Sequence, residues 1–378
     1  MAQRIGVVGA GQLALMMIQQ CAEAGVHVSV LATSNDEPAA REAHGVSLGR
    51  GDDLTALREF AKSVNVLTFD HELVDLAALA TLESEGVVLR PSSAALRFAV
   101  DKAYQRRTLA EWGIPTPEFL IVPRGQPDDA KVWFETHREP PVVKAATGGY
   151  DGRGVAFPAT RAETEAVCAD WISQSDLVLE ERLILTSEVA QIGVRSVDAT
   201  TVRYPVVWTR QSDGMCVETT YPCPLDIATV ARVDELTTEL LSRIEPVGVM
   251  AVEYFITDQG VLVNEVALRP HNTGHWTIEG TTAGQFVNHL RAVGDHGLIA
   301  PEVTAPSVTM VNVVGDEAPS DSSRAPTQIG LAVHDYGKAW RPGRKLGHVT
   351  AWGDDAHSTH VQAWEAARAF GTSTREAL

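Results

Sequence analysis

Apolar and polar positions follow one rhythm near the start of the chain and another further along. Residues 4–9, Arg-Ile-Gly-Val-Val-Gly, predict a buried strand that ends in a glycine turn. Leu13, Met16, Met17 and Cys21 recur at helical spacing over 12–24, and Val26–Leu31 is a second apolar run. Strand, helix and strand in that order predict a parallel sheet covered by helices. Val66-Leu-Thr-Phe and Val87-Val-Leu read as further strands, and Pro91-Ser-Ser opens a helix with Ser92 or Ser93 as its N-cap. This α/β unit is assigned to residues 1–94.

Beyond residue 95 the pattern becomes mixed. A helix over 102–112 stops at Gly113-Ile-Pro-Thr-Pro, and Pro-Pro-Val-Val-Lys (140–144) enters a strand. Strands are predicted at 177–181, 188–194, 202–208, 249–255 and 261–266, with an amphipathic helix over 228–244. These form an α+β unit, 95–298. Pro301 and Pro306 mark a linker into a β-rich unit, 299–378, with strands at 308–314, 330–333 and 347–351 and a helix at 359–369. No internal repeat or low-complexity tract is present.

A chain of 378 residues suits two or three packed units, and 44% hydrophobic with 21% charged residues is a globular composition. The formal charge of −18 repels polyanions and argues against nucleic acid as a partner. The N-terminus resembles neither a signal peptide nor a membrane span, so no membrane partner is expected. Cys21, Cys168, Cys216 and Cys223 are scattered and read as reduced structural thiols of a cytoplasmic protein.

Gly6-x-x-Gly9-x-Gly11 follows the first strand and is either a tight turn or a seat for a phosphorylated ligand at a helix N-terminus. Gly148-Gly-Tyr-Asp-Gly-Arg-Gly154, four residues after strand-borne Lys144, suits a flap whose backbone N–H groups wrap phosphate oxygens. Leu177-Val-Leu-Glu-Glu-Arg-Leu183 with Glu188 suits an adenine and ribose contact, although two acids at a strand end are also common on solvated edges. Glu253 and Glu265 stand on two strands joined by a turn at Asp258-Gln-Gly260, which places them side by side on a hairpin. Magnesium favours such oxygen ligands, and two inward carboxylates on an apolar hairpin are expensive without a cation. Arg269, His271, Asn272 and His275 crowd the loop that follows and suit an anion that attacks a γ-phosphate. Lys338, Arg341, Arg344 and Lys345 make a basic island in an acidic chain, fit for one phosphate group or for a charged surface turn.

Taken together these segments resemble the ATP-grasp superfamily, and within it the N5-carboxyaminoimidazole ribonucleotide synthetase family. The resemblance also runs through Asp36-Glu-Pro-Ala-Ala, Thr68-Phe-Asp-His-Glu72, Asn264-Glu-x-x-x-Arg-Pro-His-Asn-x-Gly-His-Trp, His289-Leu-Arg-Ala and Arg341-Pro-Gly-Arg-Lys-x-Gly-His. It implies an ATP-grasp fold with an N-terminal Rossmann-like pre-ATP-grasp domain and a small C-terminal β-rich domain. It implies ATP- and bicarbonate-dependent carboxylation of the amine of 5-aminoimidazole ribonucleotide through carboxyphosphate, with magnesium, or manganese in its place. It further implies that Lys102, Lys144, Gly149 and Gly152 hold ATP phosphates, that Glu180, Glu181 and Leu183 form the adenine hinge, and that Glu188 meets the ribose. Glu253 and Glu265 would bind the metal. Arg269, His271 and Asn272 would cradle bicarbonate or carboxyphosphate. Tyr150, Asp151 and Arg153, with Lys338, Arg344 and Lys345, would receive the phosphorylated amine. A homodimer is implied as well.

Leu15, Trp208 and Val287 depart from the family pattern. They leave open a paralogous ATP-grasp amide ligase with a different amine acceptor.

Overall fold

The computed structural model describes residues 2–149, 154–212, 214–315 and 328–371. The expected roles of Tyr150, Asp151, Gly152 and Arg153 therefore lie outside the described residues.

The N-terminal unit begins with β1 (Gln3–Val8), a helix at Gln12–Ala24 and β2 (Val26–Ala32), followed by β3 (Gly45–Leu48) and β4 (Val66–Phe69). They form a parallel sheet in the order β3-β2-β1-β4. β1 is apolar on both faces because it lies inside, with Ile5, Val7 and Val8 fully buried. The glycine turn that follows is required sterically. Gly9 has φ +108°, and a Cβ there would lie 1.8 Å from Asp70 Oδ1. The expected strand at 87–89 is reduced to one bridge, Leu67 with Leu89, because the chain bends away at once into the proline turn. Ser92 caps the next helix, Ser93–Val100, its side chain accepting from the Ala95 N–H at 3.2 Å.

After the helix Lys102–Glu111 comes a small antiparallel sheet of β5 (Phe119–Val122), β6 (Val142–Ala145), β7 (Val155–Ala156) and β8 (Leu177–Glu180), in the order β5-β8-β6-β7. The remaining strands are β9 (Ser187–Arg195), β10 (Thr201–Arg203), β11 (Val207–Ser212), β12 (Met215–Tyr221), β13 (Gly248–Thr257), β14 (Gly260–Ala267), β15 (Ser307–Val314), β16 (Leu331–Asp335) and β17 (Lys345–Gly353). Among the described residues these make a nine-stranded sheet, β14-β13-β9-β11-β12-β15-β17-β16, with β10 against β9. The single strand expected at 202–208 is two strands. Pro205 offers no N–H to a ladder, and Tyr204 turns its side chain into the core, where its hydroxyl donates to the Ala283 carbonyl at 2.7 Å.

The C-terminal strands extend the same sheet rather than forming one of their own, because β15 pairs with β12. Helix Ala356–Phe370 covers them through Ala363, Trp364, Ala367 and Phe370. Helix Gln285–Val293 packs on helix Gln12–Ala24 through Phe286, Val287 and Leu290, which seats the N-terminal unit against the large sheet. Among the described residues no helix is long and apolar enough to cross a membrane.

Candidate active site

The β13–β14 hairpin sets the geometry. Glu253 stands directly opposite Glu265, so both side chains leave the same face of the sheet. The next pair is Tyr254 with Val263, which leaves Asn264 as an extra, bulged residue. Arg106 holds that bulge, donating through Nη2 to the Asn264 carbonyl at 2.7 Å. Glu188 on β9 pairs with Phe255, two positions beyond Glu253 and on the same face. Burial, then the negative charges of Glu265 and Glu188, push the Glu253 carboxyl upward. Burial alone would raise Glu265 too, but Lys102, His271, Lys144 and Arg269 outweigh it and hold that carboxyl low. Among the described residues no cluster of three or more His, Cys, Asp or Glu side chains is arranged to hold a metal. The donors available are a pair of hard carboxylates with a charge deficit.

Behind Glu265 lies a buried ionic network. Lys144 Nζ is 2.6 Å from Glu180 Oε2, and Arg106 Nε donates to Glu180 Oε1 at 2.8 Å. Glu180 is almost fully buried. Burial opposes its charge, yet Arg106 and Lys144 prevail and hold its carboxyl down to about 2. Burial pulls the Lys144 ammonium down from its ordinary value, with Glu180 opposing. The Glu180 side chain thus positions Lys144, so a hinge contact at this residue would fall to its backbone. The Glu181 N–H is likewise committed, donating to the Glu118 carbonyl at 2.9 Å. Leu183 is half-buried in the segment between β8 and β9. Lys102 opens its helix, and its N–H donates to the Ala146 carbonyl at 2.8 Å.

A cavity of about 480 Å³ joins these elements to the N-terminal unit. Its lining includes Gly9, Gly11, Gln12, Asp70 and Glu72 from the first unit, Gly149 from the flap, Glu253, Glu265, Arg269, His271 and Asn272, and Lys345 from β17. Arg269 Nε donates to Glu72 at 2.8 Å, tying the loop after β14 to the N-terminal unit. The Asn272 amide and that of Asn312 exchange two hydrogen bonds, at 2.8 and 2.6 Å, which tie the cavity-lining Asn272 to β15. Lys338 reaches across the rim and donates to the Gln12 side chain. Arg344 lies outside the lining and donates to the Ala339 carbonyl at 3.0 Å.

Asp70 carries the feature that residue spacing did not reveal. Its Oδ2 accepts the Gly11 N–H at 2.7 Å, while Oδ1 is buried without a hydrogen bond among the described residues. Burial, only partly offset by His71, pushes its carboxyl upward. The segment Thr68–Glu72 was legible as a family motif, but nothing in its pattern said that one acid would face the glycine turn.

Comparison with known proteins agrees with this arrangement. Residues 1–100 match the ribonucleotide synthetase preATP-grasp domain, 107–286 the ATP-grasp domain, and 308–362 the phosphoribosylaminoimidazole carboxylase C-terminal domain. The N5-carboxyaminoimidazole ribonucleotide synthase of Mycobacterium tuberculosis is 41% identical over 366 residues, covering 93% of this chain and 84% of the relative. The Aspergillus clavatus carboxyaminoimidazole ribonucleotide synthase complexed with ATP superimposes with a TM-score of 0.89 at 29% identity, over 97% of this chain and 98% of that one. The Aspergillus clavatus enzyme in complex with ADP and 5-aminoimidazole ribonucleotide gives 0.86 at 28% identity, over 97% and 99%. With its hairpin carboxylates, buried lysine network and three matching domains, this chain belongs to the ATP-grasp superfamily and, within it, to the N5-carboxyaminoimidazole ribonucleotide synthase family.

Proposed function

We propose that this protein uses ATP and bicarbonate to carboxylate the amine of 5-aminoimidazole ribonucleotide, giving N5-carboxyaminoimidazole ribonucleotide for purine synthesis. The observation that carries the reading is one cavity lined both by the Glu253–Glu265 pair and by Arg269, His271 and Lys345. A carboxylate-lined end suited to a metal-bound triphosphate and a cationic acceptor end thus share a volume. The complexes of related enzymes with ATP, and with ADP and 5-aminoimidazole ribonucleotide, support the same pair of substrates.

Glu253 and Glu265 fit a magnesium ion. They are hard oxygen donors in register, and the raised Glu253 carboxyl marks a site short of positive charge. Such an ion, when bound, supplies charge neutralisation for the triphosphate. Two protein carboxylates suffice for that, because phosphate oxygens and water complete the magnesium shell. Lys144, locked by Glu180, and Lys102 supply fixed positive charge beside Glu265. Bicarbonate then attacks the γ-phosphorus in line, the bond to ADP breaks, and carboxyphosphate forms. Arg269 and His271 face the developing negative charge, with Arg269 held by Glu72. The amine takes the carboxyl group and phosphate leaves. Lys345 and the glycine turn at Gly9 and Gly11 receive the phosphorylated acceptor in this reading, and Lys338 and Arg344 flank them at the rim. In this proposal Tyr150, Asp151, Gly152 and Arg153 keep the substrate and phosphate roles that the family resemblance implies.

The departures from the family pattern do not favour a different acceptor. Leu15 and Val287 are buried in the packing between two helices, and neither they nor Trp208 line the cavity. We take the working form to be a cytoplasmic homodimer, which sedimentation and cell fractionation test. The decisive assay is ADP release. It should require bicarbonate and 5-aminoimidazole ribonucleotide together. Turnover with an amino acid acceptor but none with that pair would replace this reading with the amide-ligase alternative.

A further inference from the structure

The segment from Arg269 to Trp276 is a loop, yet it is buried. Asn272, Thr273, His275 and Trp276 all lie inside the fold. A buried loop must find partners for its backbone polar groups. Gln285, the first residue of helix Gln285–Val293 and fully buried, provides them. Its Oε1 accepts the His271 N–H at 2.9 Å. Its Nε2 donates to the His271 carbonyl at 2.7 Å and lies 3.1 Å from His275 Nδ1. The acceptor and both donor hydrogens of the carboxamide are therefore engaged on one loop. The Gln285 N–H donates to Thr277 Oγ1 at 2.9 Å, and that hydroxyl donates to the Gly274 carbonyl at 2.6 Å. The loop rests so closely on the carboxamide that a Cβ at Gly274 would lie 2.5 Å from Gln285 Oε1.

Gln285 does not line the cavity, whereas His271 does. Any effect on chemistry must therefore pass through the loop. We propose that Gln285 is a positioning residue: it fixes the His271 backbone on both sides and so sets where His271 and Arg269 meet bicarbonate and the developing phosphate charge. This assignment rests on the carboxylation reading above. A displacement of about 1 Å at such a site costs on the order of a hundredfold in rate.

Gln285→Met keeps the length of the side chain and removes all its hydrogen bonds. The wild-type enzyme is assayed first, by ADP release with bicarbonate and 5-aminoimidazole ribonucleotide. For the variant, kcat should fall roughly 30- to 100-fold and the KM for bicarbonate should rise. The KM for ATP should stay within about twofold, because the Lys144–Glu180 network does not touch this loop. Independently of activity, the ring signals of His271 and His275 should move in a histidine-detected 1H–15N spectrum while that of His289 stays. Gln285→Glu keeps an acceptor for the His271 N–H but, when ionised, has no hydrogen to donate. Its activity relative to wild type should recover as the pH falls and the buried carboxyl becomes an O–H donor. That profile carries the test if the methionine variant does not fold. Wild-type kcat in Gln285→Met, equal losses in ATP affinity and turnover, an unmoved His271 signal, or a Glu variant without acid recovery would each overturn the assignment. A wild type with no bicarbonate dependence would instead refute the proposed function, and the histidine spectrum would still decide whether Gln285 orders the loop.

Discussion

Replacing Glu180 by glutamine would take one negative charge from between two buried cations. Lys144 Nζ and Arg106 Nε lie 2.6 and 2.8 Å from its two oxygens, and all three side chains are largely shielded from water. The Glu180 carboxyl sits at about 2 in the folded protein, against an ordinary value of 4.5. That depression corresponds to roughly 3 kcal/mol of stability at neutral pH. Leaving a partner charge buried and unpaired costs about 3–5 kcal/mol in comparable networks, so Glu180→Gln should lose about that much. The folded carboxyl is depressed, so its contribution is complete above the ordinary carboxylate value and drains away as the pH falls through about 2. Denaturant unfolding of wild type and variant should therefore diverge most at pH 7, with the carboxyl term shrinking to roughly 1.4 kcal/mol at pH 3. A functional consequence should accompany the loss. Burial already pulls the Lys144 ammonium down, and Glu180 is the group that opposes this. Without it the ammonium is pulled further down and loses its fixed position, and weakening of one charge-assisted contact lowers ATP affinity by roughly 10- to 100-fold. Calorimetric titration with ATP reads this directly. A variant within 1 kcal/mol of wild type that binds ATP as tightly would refute the reasoning.

Two further substitutions probe the hairpin and the glycine turn. Glu265→Ala should reduce ADP formation on the order of a thousandfold and abolish magnesium-dependent ATP uptake. Stability should fall, because the Glu265 carboxylate is held low in the fold by Lys102, His271, Lys144 and Arg269 and so contributes stability at neutral pH; retained activity would detach the hairpin from metal binding. Gly9→Ala places a methyl group on Asp70 Oδ1 at a φ of +108°, and should cost about 2–4 kcal/mol in denaturant unfolding. The double variant Gly9→Ala, Asp70→Ala should recover part of that loss; no recovery would show that the backbone angle alone sets the cost.

Much of the architecture is written in local pattern. The apolar run of β1, the helical spacing of Leu13, Met16 and Met17, and the turn at Asp258-Gln-Gly260 each specify an element without help from distant residues. The short turn fixes the register only as far as Tyr254 with Val263, which alone would set Glu253 opposite Asn264; the bulge at Asn264, held by Arg106, brings Glu253 opposite Glu265. The motif residues of the flap, the loop after β14 and the basic island identified the family from sequence resemblance.

The partners of those residues depended on contacts between segments far apart in the chain. Glu180 and Asn272 carry polar groups at positions suited to a ligand, and the fold also ties the first to Arg106 and Lys144 and the second to Asn312. Asp70 and Gln285 gave no periodic signal, since one acts by facing a turn 59 residues earlier and the other by clasping a loop 14 residues before it. Val202–Trp208 looks like one strand, but Pro205 interrupts it between Arg203 and Val207, and the Tyr204 side chain is anchored in the core. A local pattern fixes where a side chain points relative to its own element. Burial and hydrogen bonding with the elements packed around it decide whether that side chain is left for a substrate, and only the assembled fold sets those terms.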